Sequence, residues 1–218
     1  MFDIDGTLTT GEDVWGPLIH SSNVTAWRKI WLYGSGLPHY VLSKLRVANQ
    51  ARFRERWVRL MAWLMTDWRA AQVAAACKSV VHDALLPHLR HDMVEVLRAH
   101  QESGHHTVLV TTMFQPIAER FAQQVGADKG IGTRLRFSGD AASGRIDGET
   151  CSGARKLAFA SIYLSERFPD MALESCAAYA DSRSDIPFLA GVGFPAAVYP
   201  DATMRQAAEQ HGWPVIDA

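Results

Sequence analysis

From Pro87 onward the sequence alternates short apolar stretches with helical stripes, and this alternation restricts the fold more than any other feature. Leu89, Met93, Val96, Leu97 and His100 recur at helical spacing, and Ser103-Gly104 ends the run. Thr107 to Thr111 is a short β-branched stretch, which predicts a buried strand. Pro116 opens a helix with Ile117, Phe121 and Val125 on one face, closed by Gly126. Thr133 to Phe137 and Arg145 to Thr150 flank a polar Ser-Gly-Asp turn and read as a small hairpin. A helix over Ala154 to Arg167 and a strand over Ala177 to Ala180 follow. A helix near Ile186 to Leu189, a strand over Ala196 to Tyr199, a helix opening at Asp201 and a strand over Pro214 to Ile216 complete the pattern. Strands joined by helices of this length form crossovers, so the expected class is α/β, with a doubly wound, mainly parallel sheet.

Residues 14–85 break the rhythm. They hold two long helical stretches, Asn49 to Met65 and Ala70 to Val81, while Leu45-Arg46-Val47 is strand-like in helical surroundings. The simplest organisation is a core of residues 1–13 and 86–218 with a helical module, 14–85, inserted after the first strand. Counted from Asp13 to Leu85, its charge is about +6 against about −7 for the remainder, which the net charge of -1 conceals. Six of the seven tryptophans (Trp15, Trp27, Trp31, Trp57, Trp63, Trp68) lie in it and are expected to pack within a helical bundle. Arg52-Phe53-Arg54-Glu55-Arg56-Trp57-Val58-Arg59 interleaves basic and aromatic residues; the helical reading turns Phe53 and Trp57 to the bundle and the arginines to water, rather than to nucleic acid.

Several classes are disfavoured. A chain of 218 residues with 48% hydrophobic residues has enough apolar content for a packed core. It contains no apolar run of about 18 residues, so no membrane span is expected. Met1-Phe2-Asp3 does not resemble a secretory leader, and a cytoplasmic location is expected. Three scattered cysteines (Cys77, Cys151, Cys176) suggest neither a disulfide framework nor a thiolate zinc site, and His82, His88, His91, His105 and His106 lack a metal-site spacing.

The chemistry concentrates at Phe2-Asp3-Ile4-Asp5-Gly6-Thr7-Leu8-Thr9. Two carboxylates two residues apart at a strand end share one side of the strand. In an open parallel sheet that end is where ligands gather. Close carboxylates repel unless a cation or shared proton relieves them, which makes a divalent ion such as Mg²⁺ a natural partner; an acidic turn or helix cap is the alternative. Only Met1 and Phe2 precede Asp3, fewer than the about five residues usual for a strand, so weak fixing of Asp3 in the ladder is expected.

Asp3-Ile4-Asp5-Gly6-Thr7-Leu8 resembles the first motif of the haloacid dehalogenase superfamily, and three more segments resemble its other motifs in order. Thr111, ending Val108-Leu109-Val110, is similar to the second motif's Ser/Thr, and Lys156 to the third motif's lysine. Asp181-Ser182-Arg183-Ser184-Asp185 is similar to the fourth motif's acidic pair. A helical insertion after the first motif resembles the phosphoserine-phosphatase-like subfamily, termed IB. The resemblance implies a Rossmann-like core under a helical cap, acting as a phosphomonoesterase on a small phosphorylated metabolite.

It also implies roles. Asp3 would be the nucleophile and Asp5 the general acid and base. Mg²⁺ would be held by Asp3, the Asp5 backbone carbonyl and Asp181. Thr111 and Lys156, with backbone N–H groups near Thr112 and Met113, would bind phosphate, and Asp185 would orient Lys156 or the metal's water. Glu12 stands where those phosphatases carry a glutamate for the substrate amino group, and Arg52, Arg54, Arg56 and Arg59 are candidates for its carboxylate. One departure is visible: Thr111 is followed by Thr112-Met113-Phe114 where those phosphatases have glycines, which narrows the substrate's polar end. Phosphotransfer to another acceptor, and a non-catalytic phosphate- or partner-binding role on the same fold, are the alternative functions.

Overall fold

The computed structural model of the chain describes residues 1–11, 13–34 and 50–217, the backbone alone at 50–52. Glu12 and Leu45 to Val47 therefore lie outside the described residues.

The parallel sheet has two halves joined by the N-terminal segment. Strand β1 (Val108–Phe114) pairs in parallel with β2 (Lys129–Thr133). The hairpin strands β3 (Leu135–Ser138) and β4 (Ala141–Ile146) are antiparallel and separate. Strands β5 (Ala177–Ala180), β6 (Phe194–Val198) and β7 (Val215–Ile216) are parallel neighbours. Phe2 bridges Leu109 on one side and Tyr179 on the other, giving the order β2-β1-(residues 1–3)-β5-β6-β7.

Short as it is, this segment is laddered on both sides. The Phe2 N–H donates to Val108 O at 2.8 Å, and Val110 N–H donates to Phe2 O at 2.8 Å. The Asp3 N–H donates to Tyr179 O at 2.9 Å, and Tyr179 N–H to Met1 O at 3.0 Å. The Phe2 ring is buried and stacks on Tyr179 with centroids 4.5 Å apart. The expected weakness of the ladder at Asp3 is not what the structure has.

Helices cover both faces. In α5 (His91–Glu102) and α6 (Gln115–Val125) the buried residues lie at helical spacing, with Ile117, Phe121 and Val125 on the inner face of α6. Gly126 closes α6 in the left-handed conformation at φ 81°. Two apolar clusters flank the sheet: Leu109 joins the one with α5 and α6, while Val108 and Val110 join the other. The second cluster is built by α7 (Ala154–Arg167), α8 (Ile186–Ala190) and α9 (Ala202–His211). Asp201 caps α9, its carboxylate accepting from Met204 N–H at 2.7 Å.

The strand β2 was not expected from its sequence. Its Gly130 and Gly132 lower strand propensity, but a Cβ on Gly130 would lie 2.2 Å from Ala118 O, and one on Gly132 would lie 2.6 Å from Met113 O. Glycine here admits close backbone approach. The hairpin is present but shifted towards its turn: β3 starts two residues later than expected, and β4 overlaps the expected second strand only at Arg145 and Ile146.

Helices α1 (Gly16–Ile19), α2 (residues 26–34), α3 (Gln50–Leu64) and α4 (Ala70–Ser79) form the insertion, and α4 continues into a wider turn over Val80–Leu85. The chain leaves and returns at one place: Thr10 N–H donates to His88 O and Arg90 N–H to Leu8 O. That juxtaposition lets a helical module be inserted without disturbing the sheet. Trp15, Trp57, Trp63 and Trp68 pack as expected, but Trp27 and Trp31 are exposed, lying around the Trp63 ring. No helix among the described residues is long and apolar enough to cross a membrane.

Candidate active site

The carboxyl ends of the three central sheet segments converge on a cavity of about 320 Å³, closed on its far side by α3 and Trp15. Asp3 and Asp5 follow the N-terminal segment, Thr111 lies in β1, and Asp181 follows β5; all four line the cavity with Lys156 and Asp185.

Asp3 is buried, and its Oδ1 lies 2.7 Å from Lys156 Nζ. Lys156 is delivered by the first turn of α7, and its ammonium also lies 2.9 Å from Asp185 Oδ1. Burial disfavours the ammonium, but Asp185 and Asp3 outweigh it and hold the group above the ordinary lysine range. Asp185 stands at the N-cap position of α8 yet makes no capping bond; Ser182 Oγ donates to its Oδ2 at 3.2 Å. Its Oδ1 is buried and has no aligned hydrogen bond.

Burial is the largest influence on Asp3, with Asp185 and Asp181 adding to it and Lys156 opposing; the carboxyl is pushed up. Burial and Asp185 push Asp181 up to about 7, again against Lys156. Thr7 Oγ1 donates to Asp181 Oδ1 at 3.4 Å. The turn between Asp5 and Thr7 requires glycine: Gly6 has φ 88°, and a Cβ there would lie 2.2 Å from Asp181 Oδ2. Asp5 projects from this turn, open to solvent yet enclosed by the cleft. Burial pushes its carboxyl up, with Lys156 and Arg54 opposing.

Oxygen atoms of Asp3, Asp181 and Asp185 lie within 4.8 Å of one another. Three carboxylates against one lysine leave negative charge uncompensated, and the donors are all hard oxygens. A divalent cation of the Mg²⁺ kind fits this donor set.

Thr111 is buried, and its Oγ1 accepts from Met113 N–H at 3.3 Å. Thr112 and Met113 line the cavity beside it. Glu12 is not among the described residues. Of the four candidate arginines, Arg54 lines the cavity and is half-buried, whereas Arg56 and Arg59 are exposed and the side chain of Arg52 is not described. The expectation that these arginines face water is thus corrected at Arg54, which lines the cavity with its α3 neighbours Phe53 and Trp57. Phe53 and Trp57 also line the cavity, a use that their helical spacing alone did not distinguish from bundle packing.

The model of the haloacid dehalogenase-like hydrolase family matches residues 1–190. A probable phosphatase of Mycobacterium tuberculosis is 31% identical over 157 residues, 70% of this chain and 52% of that protein, so the chain spans about half of that relative. A phosphoserine phosphatase of the same organism is 26% identical over 220 residues, 99% of this chain and 69% of that protein. Among solved structures, a protein of unknown function from Bordetella pertussis matches with a TM-score of 0.82 at 22% identity, covering 99% of this chain and 96% of that one. A substrate-bound phosphoserine phosphatase matches with a TM-score of 0.63 at 17% identity, covering 100% and 91%. With the family model covering most of the chain, including β1, β2, β5 and every residue of the acidic cluster, the chain belongs to the haloacid dehalogenase-like hydrolases.

Proposed function

We propose that this chain is a Mg²⁺-dependent phosphomonoesterase that hydrolyses a small phosphorylated metabolite through an aspartyl-phosphate on Asp3. The observation that carries the reading is the Asp3–Lys156–Asp185 chain of contacts at the cavity floor, with Asp181 close by. Relatives named as phosphoserine phosphatase and histidinol-phosphatase support the substrate class. Residues 1–13 and 86–218 serve as the catalytic core in this reading and 14–85 as the cap.

An Asp3 carboxylate oxygen forms the bond to phosphorus as the bond to the leaving oxygen breaks. Asp5 gives its proton to that leaving oxygen, then takes one from the water that attacks phosphorus and frees Asp3. Lys156 and the Thr111 hydroxyl hold the nonbridging oxygens, with backbone N–H groups near Thr112 and Met113. Asp185 positions Lys156. Asp3, Asp181 and the Asp5 carbonyl would hold the cation, which when bound offsets repulsion between an anionic nucleophile and an anionic phosphate. Arg54 faces the ester's remaining groups.

Phosphate release from a panel of monoesters tests this. With Mg²⁺ present, Asp3→Asn is expected to lower kcat by roughly a thousandfold or more. EDTA is expected to abolish turnover, and Mg²⁺ to restore it. Retained turnover in Asp3→Asn, or indifference to EDTA, would sink the mechanism.

A further inference from the structure

Resting on that phosphatase reading, we propose that the preferred ester carries a flat aromatic or heteroaromatic ring on its leaving alcohol, seated against Trp15, Phe53 and Trp57. The cavity of about 320 Å³ is divided by chemistry. Its floor holds the carboxylates and Lys156, whereas three aromatic side chains contribute to the cap side. Phosphate engages the floor and leaves the aromatic wall for whatever the alcohol carries.

The state of those rings matters. On α3, Val58, Met61 and Ala62 are buried and fill the bundle, but Phe53 and Trp57 are only half-buried. Phe53 and Trp57 lie one helical turn apart and form a near-parallel, offset aromatic pair, with centroids at 6.0 Å and planes at 22°. Trp15 is held edge-on by the buried Phe114, at 5.3 Å and 73°. Phe114 ends β1, three residues after Thr111, so the aromatic wall is braced by the strand that presents the phosphate-binding hydroxyl. A planar ring placed here removes apolar surface from water on both partners at little conformational cost. A small zwitterionic alcohol would instead bring an ammonium group against apolar faces and the Arg54 guanidinium, losing hydration and meeting like charge.

The test compares 2-phenylethyl phosphate with n-butyl phosphate, both esters of primary alkyl alcohols, and with O-phosphoserine. The expected kcat/KM for the phenylethyl ester exceeds that for the butyl ester by about tenfold. Phe53→Leu and Trp57→Leu, which keep apolar bulk and remove the aromatic face, are expected to bring that ratio towards one, with thermal melts checking that each variant folds. A wild-type ratio of one or less, preference for O-phosphoserine, or a ratio unchanged in both variants overturns the proposal. If no ester is hydrolysed, the phosphatase reading fails, and calorimetry with 2-phenylethylphosphonate and butylphosphonate decides the ring site by itself. About tenfold tighter binding of the phenyl compound in that assay supports the site, and equal binding overturns it.

Discussion

Asp128 does its work outside the cavity, at the start of the sheet. Thr107 donates to its Oδ2 from both the backbone N–H, at 2.7 Å, and the hydroxyl, at 2.8 Å, tying the approach to β1 to the approach to β2. Burial acts to raise this carboxyl, but the Thr107 bonds and His106 outweigh it and hold the group below its ordinary value of 3.8. A depressed folded value means stability that is present above 3.8 and is lost as the pH falls through the folded value. Asp128→Asn is therefore expected to lower the melting temperature at pH 7, with the gap to wild type closing as the medium is acidified below the carboxylate range. A gap that stays constant with pH would show that charge is not the cause. Such a residue leaves no mark in the sequence, because its partner is 21 positions away and neither forms a motif. Lys156 is different. Alone it reads as a solvated helix lysine, and its burial becomes legible only with Asp3 and Asp185, which touch it. Arg54 was not separable from its three neighbours, since periodicity gives a helix's faces but not which face crosses a cavity.

The contact between α3 and α7 joins the two sides of the cavity. Arg155 is paired with Glu55 of α3 and with Glu149. Each side of the cross-link adjoins a cavity residue, Arg54 next to Glu55 and Lys156 next to Arg155. Because the pair is partly exposed, its contribution to global stability is small, and its consequence is expected in substrate binding. Glu55→Gln and Arg155→Gln should each lower kcat/KM by up to about fivefold, chiefly through KM, and the double variant by no more than either alone. Additive losses would mean that the two residues act independently. Elements with regular stripes, such as α6 and α7, were readable within a residue or two, since one face of each must be apolar. The strand β2 was not, because close approach to α6 and to the end of β1 demands glycine where propensity demands branched side chains. The extent of β1 beyond Thr111 was also hidden, as its pairing is interrupted between Val110 and Phe114.

For the molecule as a whole, a basic insertion faces an acidic floor, and the two nearly cancel in the net charge of -1. In the phosphatase reading, the positive insertion attracts an anionic ester towards the cavity. The kcat/KM for a phosphate monoester is expected to fall as ionic strength rises from about 0.01 M to about 0.15 M, as the screening length shortens from roughly 30 Å to roughly 8 Å. The kcat at saturation should hold steady over the same range. A salt-independent kcat/KM would remove any steering role for the insertion.

The same segment that bears Asp3 is also the seam of the sheet. Phe2 joins β1 on one side and β5 on the other, so Asp3, the proposed nucleophile, sits on the piece that turns two half-sheets into one. Its partners, Leu109 and Tyr179, lie far along the chain, so both ladders are non-local pairings and slow to form. The segment must wait for Tyr179 before Asp3 is laddered on its second side. A chain lacking β5 would thus hold Asp3 by the β1 ladder alone, and the proposed chemistry would wait on the pairing with β5.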